Sequence, residues 1–247
     1  MGCAVARPRA ARPHVPALAL PALPLVRFVP AGRWAQAAAL AWALALGALA
    51  AAPWANDAVR MQQAAQRLGA RAQAALPSLQ ALLQQSGSLD DEGQLAAVNG
   101  FYNRRIVFAE DSAVWGQEDY WASPMETLDK GRGDCEDYAI AKYFTLLALG
   151  MPSSRLRMVY VRAQIGGASQ AHMVLAYYAQ PEAEPLLLDN LVTSVRPASR
   201  RPDLTPVFSF NSEGLWQGVG AQSAGDPQAR LSKWRDVLAK ARAEGFF

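Results

Sequence analysis

The run GDCEDYAIAKYFTLLALG, Gly133–Gly150, decides the fold. Ala139, Tyr143, Leu146 and Leu147 recur at helical spacing and Gly150-Met151-Pro152 is a stop signal, so the run predicts a helix from Asp134 to Leu149 with one buried face. Gly131 and Gly133 permit a tight turn into its start. Cys135 then falls in the first turn, among Asp134, Glu136 and Asp137. A helix N-terminus favours a thiolate through its dipole and its free N–H donors, whereas neighbouring carboxylates disfavour one. Two readings follow: an inert thiol, with the acids as ordinary first-turn charges, or a reactive thiol whose acidic neighbours are offset by a bound divalent cation, for which an oxygen-rich set favours calcium.

Beyond this helix the period changes from helical to alternating. Arg155–Gln164 predicts a strand, with Leu156, Met158 and Tyr160 competing against Val159 and Val161 for the core face. Ala171–Tyr178 predicts a second strand across a Gly-Gly-containing turn, Leu186–Asp189 a third and Val207–Phe210 a fourth. Leu231–Ala243 predicts an amphipathic helix with Trp234 and Leu238 inward. Upstream, Val59–Leu83 has Leu68, Ala72, Leu76, Leu79 and Leu83 at helical intervals, with Pro77 as a point of division or bending. Asp91–Asp111 reads as a second helix, and Pro124–Leu128 as a short helical turn primed by proline. Helices first and an antiparallel sheet second predict an α+β fold around one core.

A hydrophobic share of 51% and a charged share of 18% describe a globular chain rather than a disordered one. Arg7, Arg9, Arg12, Arg27 and Arg33 precede residue 50 and no Asp or Glu does, so removing these charges from the formal +3 leaves −2 for the remainder. The uncharged run Trp34–Ala52 contains the small-x-small pattern Ala48-Leu49-Ala50 and reads as a secretory signal cleaved near Ala50, with a membrane anchor as the alternative. Residues 1–52 are therefore expected to be a leader and 53–247 a single domain. Cys3 belongs to the leader, so the exported portion holds one cysteine and no internal disulfide.

His172 is the one histidine outside that leader. One histidine and one cysteine make no ordinary zinc site, but a histidine suits general-base work, unless it is merely a satisfied strand residue. Asp189 ends the apolar run LLLDN, where orienting an imidazole would account for a carboxylate. The backbone N–H of Cys135 is a candidate oxyanion donor. No Gly-rich phosphate loop is present and Arg200 and Arg201 are too few for a nucleic-acid surface, so nucleic acid is excluded as a partner.

Three linked motifs, WASPMETLDKGRGDCEDYAIAKYFTLLALG (Trp121–Gly150), AHMVLAYY (Ala171–Tyr178) and LLLDN (Leu186–Asn190), resemble the bacterial transglutaminase-like cysteine proteinase family, especially its periplasmic calcium-dependent adhesin-processing proteases. The resemblance covers most of residues 95–215. It implies a papain-like fold of the transglutaminase type, with a cysteine helix packed on an antiparallel sheet, and a Cys135–His172–Asp189 triad. It also implies Ca2+ as cofactor with Asp134 and Glu136 in its site, and a large surface adhesin as substrate, cut in its N-terminal region at consecutive alanines with loss of biofilm attachment. An inner-membrane cyclic di-GMP receptor is the inhibitory partner it implies. An acyl transferase using the same residues and a non-catalytic calcium-stabilised binding protein are the competing expectations.

Overall fold

A seven-stranded antiparallel sheet, with its larger hydrophobic core on the face that meets the helices, organises residues 54–247, the residues described by the computed structural model. The expected leader, its cleavage point near Ala50, Cys3 and the run Trp34–Ala52 lie outside them. Among the described residues no helix is long and apolar enough to cross a membrane.

The N-terminal helical segment divides at Gly69, not at Pro77. Helix α1 spans Trp54–Leu68 and α2 spans Ala70–Ser86, while Gly69 adopts φ 147°. Pro77 sits inside α2 on its exposed side, the solvent-facing side on which helix hydrogen bonds are longest and a missing N–H is best tolerated. The second expected helix also stops earlier than its composition suggested. Helix α3 covers Asp91–Arg105, capped by Asp90, whose carboxylate accepts from the Gly93 N–H. Val107–Phe108 then leave it to form β1, paired parallel with β2, Arg132–Gly133, and Asp111–Val114 form α4. Helix α5, Pro124–Lys130, starts with a capping box between Ser123 and Glu126 and ends at Gly131 in the left-handed region.

Helix α6, Cys135–Ala148, is buried along most of its length and packs against β3, Leu156–Ile165, and β4, Ala168–Tyr177. These two strands form a hairpin closed by Gly166 and Gly167, both at positive φ, as a two-residue turn with the strand twist requires. β4 begins three residues before Ala171 because the ladder runs out to this turn. The sheet order is β6-β5-β4-β3-β7-β8-β9, with β5 Leu186–Leu188, β6 Arg196–Pro197, β7 Leu204–Phe210, β8 Leu215–Gln217 and β9 Ser223–Gly225. Strands β6, β8 and β9 are too short to register as alternating patterns.

The competition between the two faces of β3 ends with both buried. Leu156 and Met158 join Met173, Leu175 and Phe210 in the main core, while Val159 and Val161 join Val174, Ala176 and Leu187 in a smaller cluster covered by Ala198 and Leu204. His172 stands directly opposite Val161 in the ladder and so shares this second face.

Two short terminal helices follow, α7 Pro227–Arg230 and α8 Ser232–Ala243, the latter with Trp234 and Leu238 inward as its pattern requires. Glu244, just past α8, accepts from the Ser123 hydroxyl and from the Met125 N–H at 3.2 Å, fastening the C-terminus to the start of α5. Burial pushes its carboxyl up from 4.5 to about 7 despite these bonds. Between those values the unfolded group ionises while the folded one resists, so its contribution to stability declines as pH rises through the window. Denaturant titrations at pH 5 and pH 8 are expected to show a fall of up to about 3 kcal/mol from this group, which Glu244→Gln removes.

Candidate active site

Cys135 opens α6, with Asp134 as the extended N-cap residue. The Cys135 N–H belongs to the first-turn donors that have no acceptor within the helix. Its thiol is half-buried and donates to Glu136 Oε2 at 2.8 Å, so in this arrangement the proton faces a carboxylate rather than the imidazole. Burial, and then the negative charges of Glu136 and Asp134, push the thiol well above its ordinary range.

His172 lies on β4 and Asp189 directly after β5, and both are buried. Asp189 Oδ1 binds His172 Nε2 at 2.8 Å, leaving Nδ1 as the ring nitrogen available to the cleft. Oδ1 also accepts from the Leu191 N–H at 3.0 Å, and Oδ2 accepts from Arg201 at 2.6 Å. Burial opposes ionisation of Asp189, but the hydrogen bonds and charge of His172, the Leu191 N–H and Arg201 outweigh it and hold the carboxyl at about 2. With Asp189 ionised, Nε2 carries the proton and donates.

The loop that presents Asp189 is pinned from α3. Asn103 Nδ2 donates to the Asp189 carbonyl and Asn99 Nδ2 to the Thr193 carbonyl, each at 2.7 Å, from positions one helical turn apart. Cys135 and His172 line one cleft of about 410 Å3, whose walls include Phe108, Ile165 and Leu191 along with Glu118 and Asp119.

Asp111 and Asp134 line the same cleft, and with Asp137 each places one carboxylate oxygen within 4.8 Å of the others. Asp111 accepts from the Tyr120 N–H and Asp137 from the Ala122 N–H at 2.9 Å. Asp111 Oδ1, Asp134 Oδ1 and Asp137 Oδ2 are buried with no hydrogen-bond partner. Burial and the negative charges of Glu136, Asp137 and Asp111 push Asp134 up to about 9, and burial with lesser repulsion from Asp111 and Glu136 pushes Asp137 up to about 8. Three converging, unpartnered carboxylate oxygens fit a hard divalent cation, which removes the conflict among them. Gly133 is required beside them, because a Cβ there would stand 2.5 Å from Asp137 Oδ2.

Of the two residues expected at a calcium site, Asp134 lies in this trio, whereas Glu136 turns its carboxylate to Cys135. Asp111 escapes a sequence reading because no spacing rule links it to a helix that starts 24 residues later, whereas Asp137 is one of the acids beside Cys135 that the sequence leaves open between first-turn charge and cation neighbour. Trp115, Trp121, Leu215 and Trp216 are at most half-exposed, and Trp121 stacks on Phe210 at 5.7 Å.

A helix that presents a cysteine at its first turn, packed on an antiparallel sheet that carries a histidine–aspartate pair into the same cleft, defines a cysteine protease of the papain-like, transglutaminase type. The chain belongs to the bacterial transglutaminase-like cysteine proteinase family BTLCP, whose profile matches residues 79–208. Solved structures of Legionella pneumophila LapG are similar to it over nearly their whole length. The EGTA-treated form is 39% identical with a TM-score of 0.66, covering 74% of this chain and 97% of that one. The calcium-bound form is 38% identical with a TM-score of 0.65, covering 74% and 98%. No curated protein sequence matches the chain significantly.

Proposed function

We propose that this protein is a periplasmic, calcium-dependent cysteine endopeptidase that cleaves the N-terminal region of a large surface adhesin and so controls biofilm attachment. The observation that carries the reading is the meeting of Cys135, the His172–Asp189 pair and the buried carboxylate trio around one cleft. Residues 1–52 serve as the export leader and 53–247 as the protease domain.

In the catalytic cycle the Cys135 thiol turns from Glu136 to His172, whose Nδ1 accepts its proton, and Asp189 holds the imidazole in the required tautomer. The thiolate attacks the scissile carbonyl while the Cys135 N–H helps to hold the oxyanion. Imidazolium protonates the leaving amine, and His172 then activates the water that hydrolyses the thioester. Asp111, Asp134 and Asp137 would hold calcium, with Glu136 adjoining; the bound ion supplies positive charge that offsets the acids around the nucleophile. The family resemblance supports an inner-membrane cyclic di-GMP receptor as the inhibitory partner.

The test incubates the purified protein with the N-terminal region of an adhesin from the same host, with calcium or with a chelator, and follows intact mass. Two hydrolytic fragments only with calcium are expected. A crosslinked or amine-adducted product would instead identify an acyl transferase.

A further inference from the structure

Arg201, set aside in the sequence as half of a weak basic pair, is only 4% exposed in its side chain and stands behind the imidazole's carboxylate partner. Its guanidinium is divided. Nη1 donates to Asp189 Oδ2 at 2.6 Å, while Nε and Nη2 grip Asp203 at 3.0 and 2.8 Å. The result is a connected array His172–Asp189–Arg201–Asp203, its last two members on the short segment between Ala198 and Leu204, which pack on the second cluster.

A buried carboxylate with no counter-charge would act as a full anion toward the neighbouring ring and hold it as imidazolium. A base held that way is occupied before the thiol can give up its proton, and efficient proton transfer needs a base poised near the working pH. We infer that Arg201 is a positioning residue that neutralises Asp189, so that the carboxylate orients His172 as a hydrogen-bond acceptor without acting as its full counter-ion, and that Asp203 sets how much of the guanidinium charge Asp189 receives. The inference deepens the proposed catalytic role of His172 and Asp189 and rests on it.

The other charges near the array do not supply this function. Lys142 of α6 is fully buried with no hydrogen-bond partner for its Nζ, and burial brings it down to about 7 against the opposing pull of Asp189. It is therefore a cation that neutral solution only partly maintains, whereas a guanidinium is always charged. The cleft that His172 lines is also lined by Cys135, Asp134 and Glu136 from the start of α6 and by Glu110, Asp111, Glu118 and Asp119. All of these stay constant in the comparison that follows.

The chain contains two histidines, so His14→Asn leaves His172 as the sole imidazole for an NMR titration of the full-length protein, run at fixed calcium and again in chelator. Relative to that background, Arg201→Met is expected to raise the His172 pKa by about one unit. Arg201→Lys, which keeps the charge, returns it toward the background value. Asp203→Asn frees more guanidinium charge for Asp189 and lowers the His172 pKa, the opposite sign. Asp203 is 37% exposed in its side chain, so this variant carries the test alone should Arg201→Met fail to fold. A purely structural Arg201 would give no shift, or shifts of the same sign in both variants, and either result overturns the inference. The readout needs no substrate, so loss of the protease reading would show separately, as cleavage retained when Cys135 is replaced.

Discussion

Replacing Cys135 with alanine is expected to reduce adhesin cleavage by about a thousandfold or more while leaving the melting temperature within a few degrees of the parent. The kinetic loss follows from chemistry, because no other cysteine lies among the described residues and His172 has nothing else to activate as a covalent nucleophile. The small stability change follows from the site. Cys135 is half-buried, occupies the first position of α6 where alanine is a good helix former, and makes a side-chain hydrogen bond only to the adjacent Glu136. Removing a thiol that faces a carboxylate strands no buried donor. Activity assays and a thermal melt on the same preparation separate the two effects. Cleavage that survives in Cys135→Ala would remove the cysteine from the mechanism, and a collapsed melt would show that the residue had been structural.

Calcium is expected to stabilise the folded chain by about 2.7 kcal/mol at a hundredfold excess over its dissociation constant, and chelation to reverse both that gain and the cleavage activity. Asp137→Asn should abolish most of the calcium-dependent gain. The substituted amide keeps an oxygen for the Ala122 N–H but replaces the unpartnered Oδ2 by a nitrogen, which cannot ligate the ion. In chelator the sign changes. The variant is then expected to be at least as stable as the parent, since one of three crowded buried carboxylates has lost its charge. Calorimetric titration gives the affinity, and paired melts with calcium and with chelator give the crossover. A variant less stable under both conditions would identify Asp137 as a structural cap rather than part of an ion site.

Cys135 at the head of a helix was legible because a period of about 3.6 and a glycine-proline stop are local signals, as was the change to alternation that placed His172 on a strand. The Gly166-Gly167 hairpin was legible for the same reason. Helix boundaries were less so: Pro77 looked like a break and Gly69 did not, because the outcome depended on which side of α2 faced solvent. The residues around the chemistry were harder still. Asn99 and Asn103 reach far along the chain, across 94 and 86 positions, to hold the Asp189 loop. Asp111 meets Asp134 and Asp137 only because β1 pairs with β2 and brings α4 beside the start of α6.

The amino-acid order by itself determined the class of fold and the order of its chemistry-bearing residues, since both are written in short-range periodicity and in motifs a few residues long. Only the tertiary structure decided that Glu136 faces the thiol, that Asp111 completes an acidic trio, and that Arg201 backs Asp189. Each of these depends on which side chains share one buried, low-dielectric space, where a charge must find its counter-charge. That space is created by the closing of helices and sheet on one another.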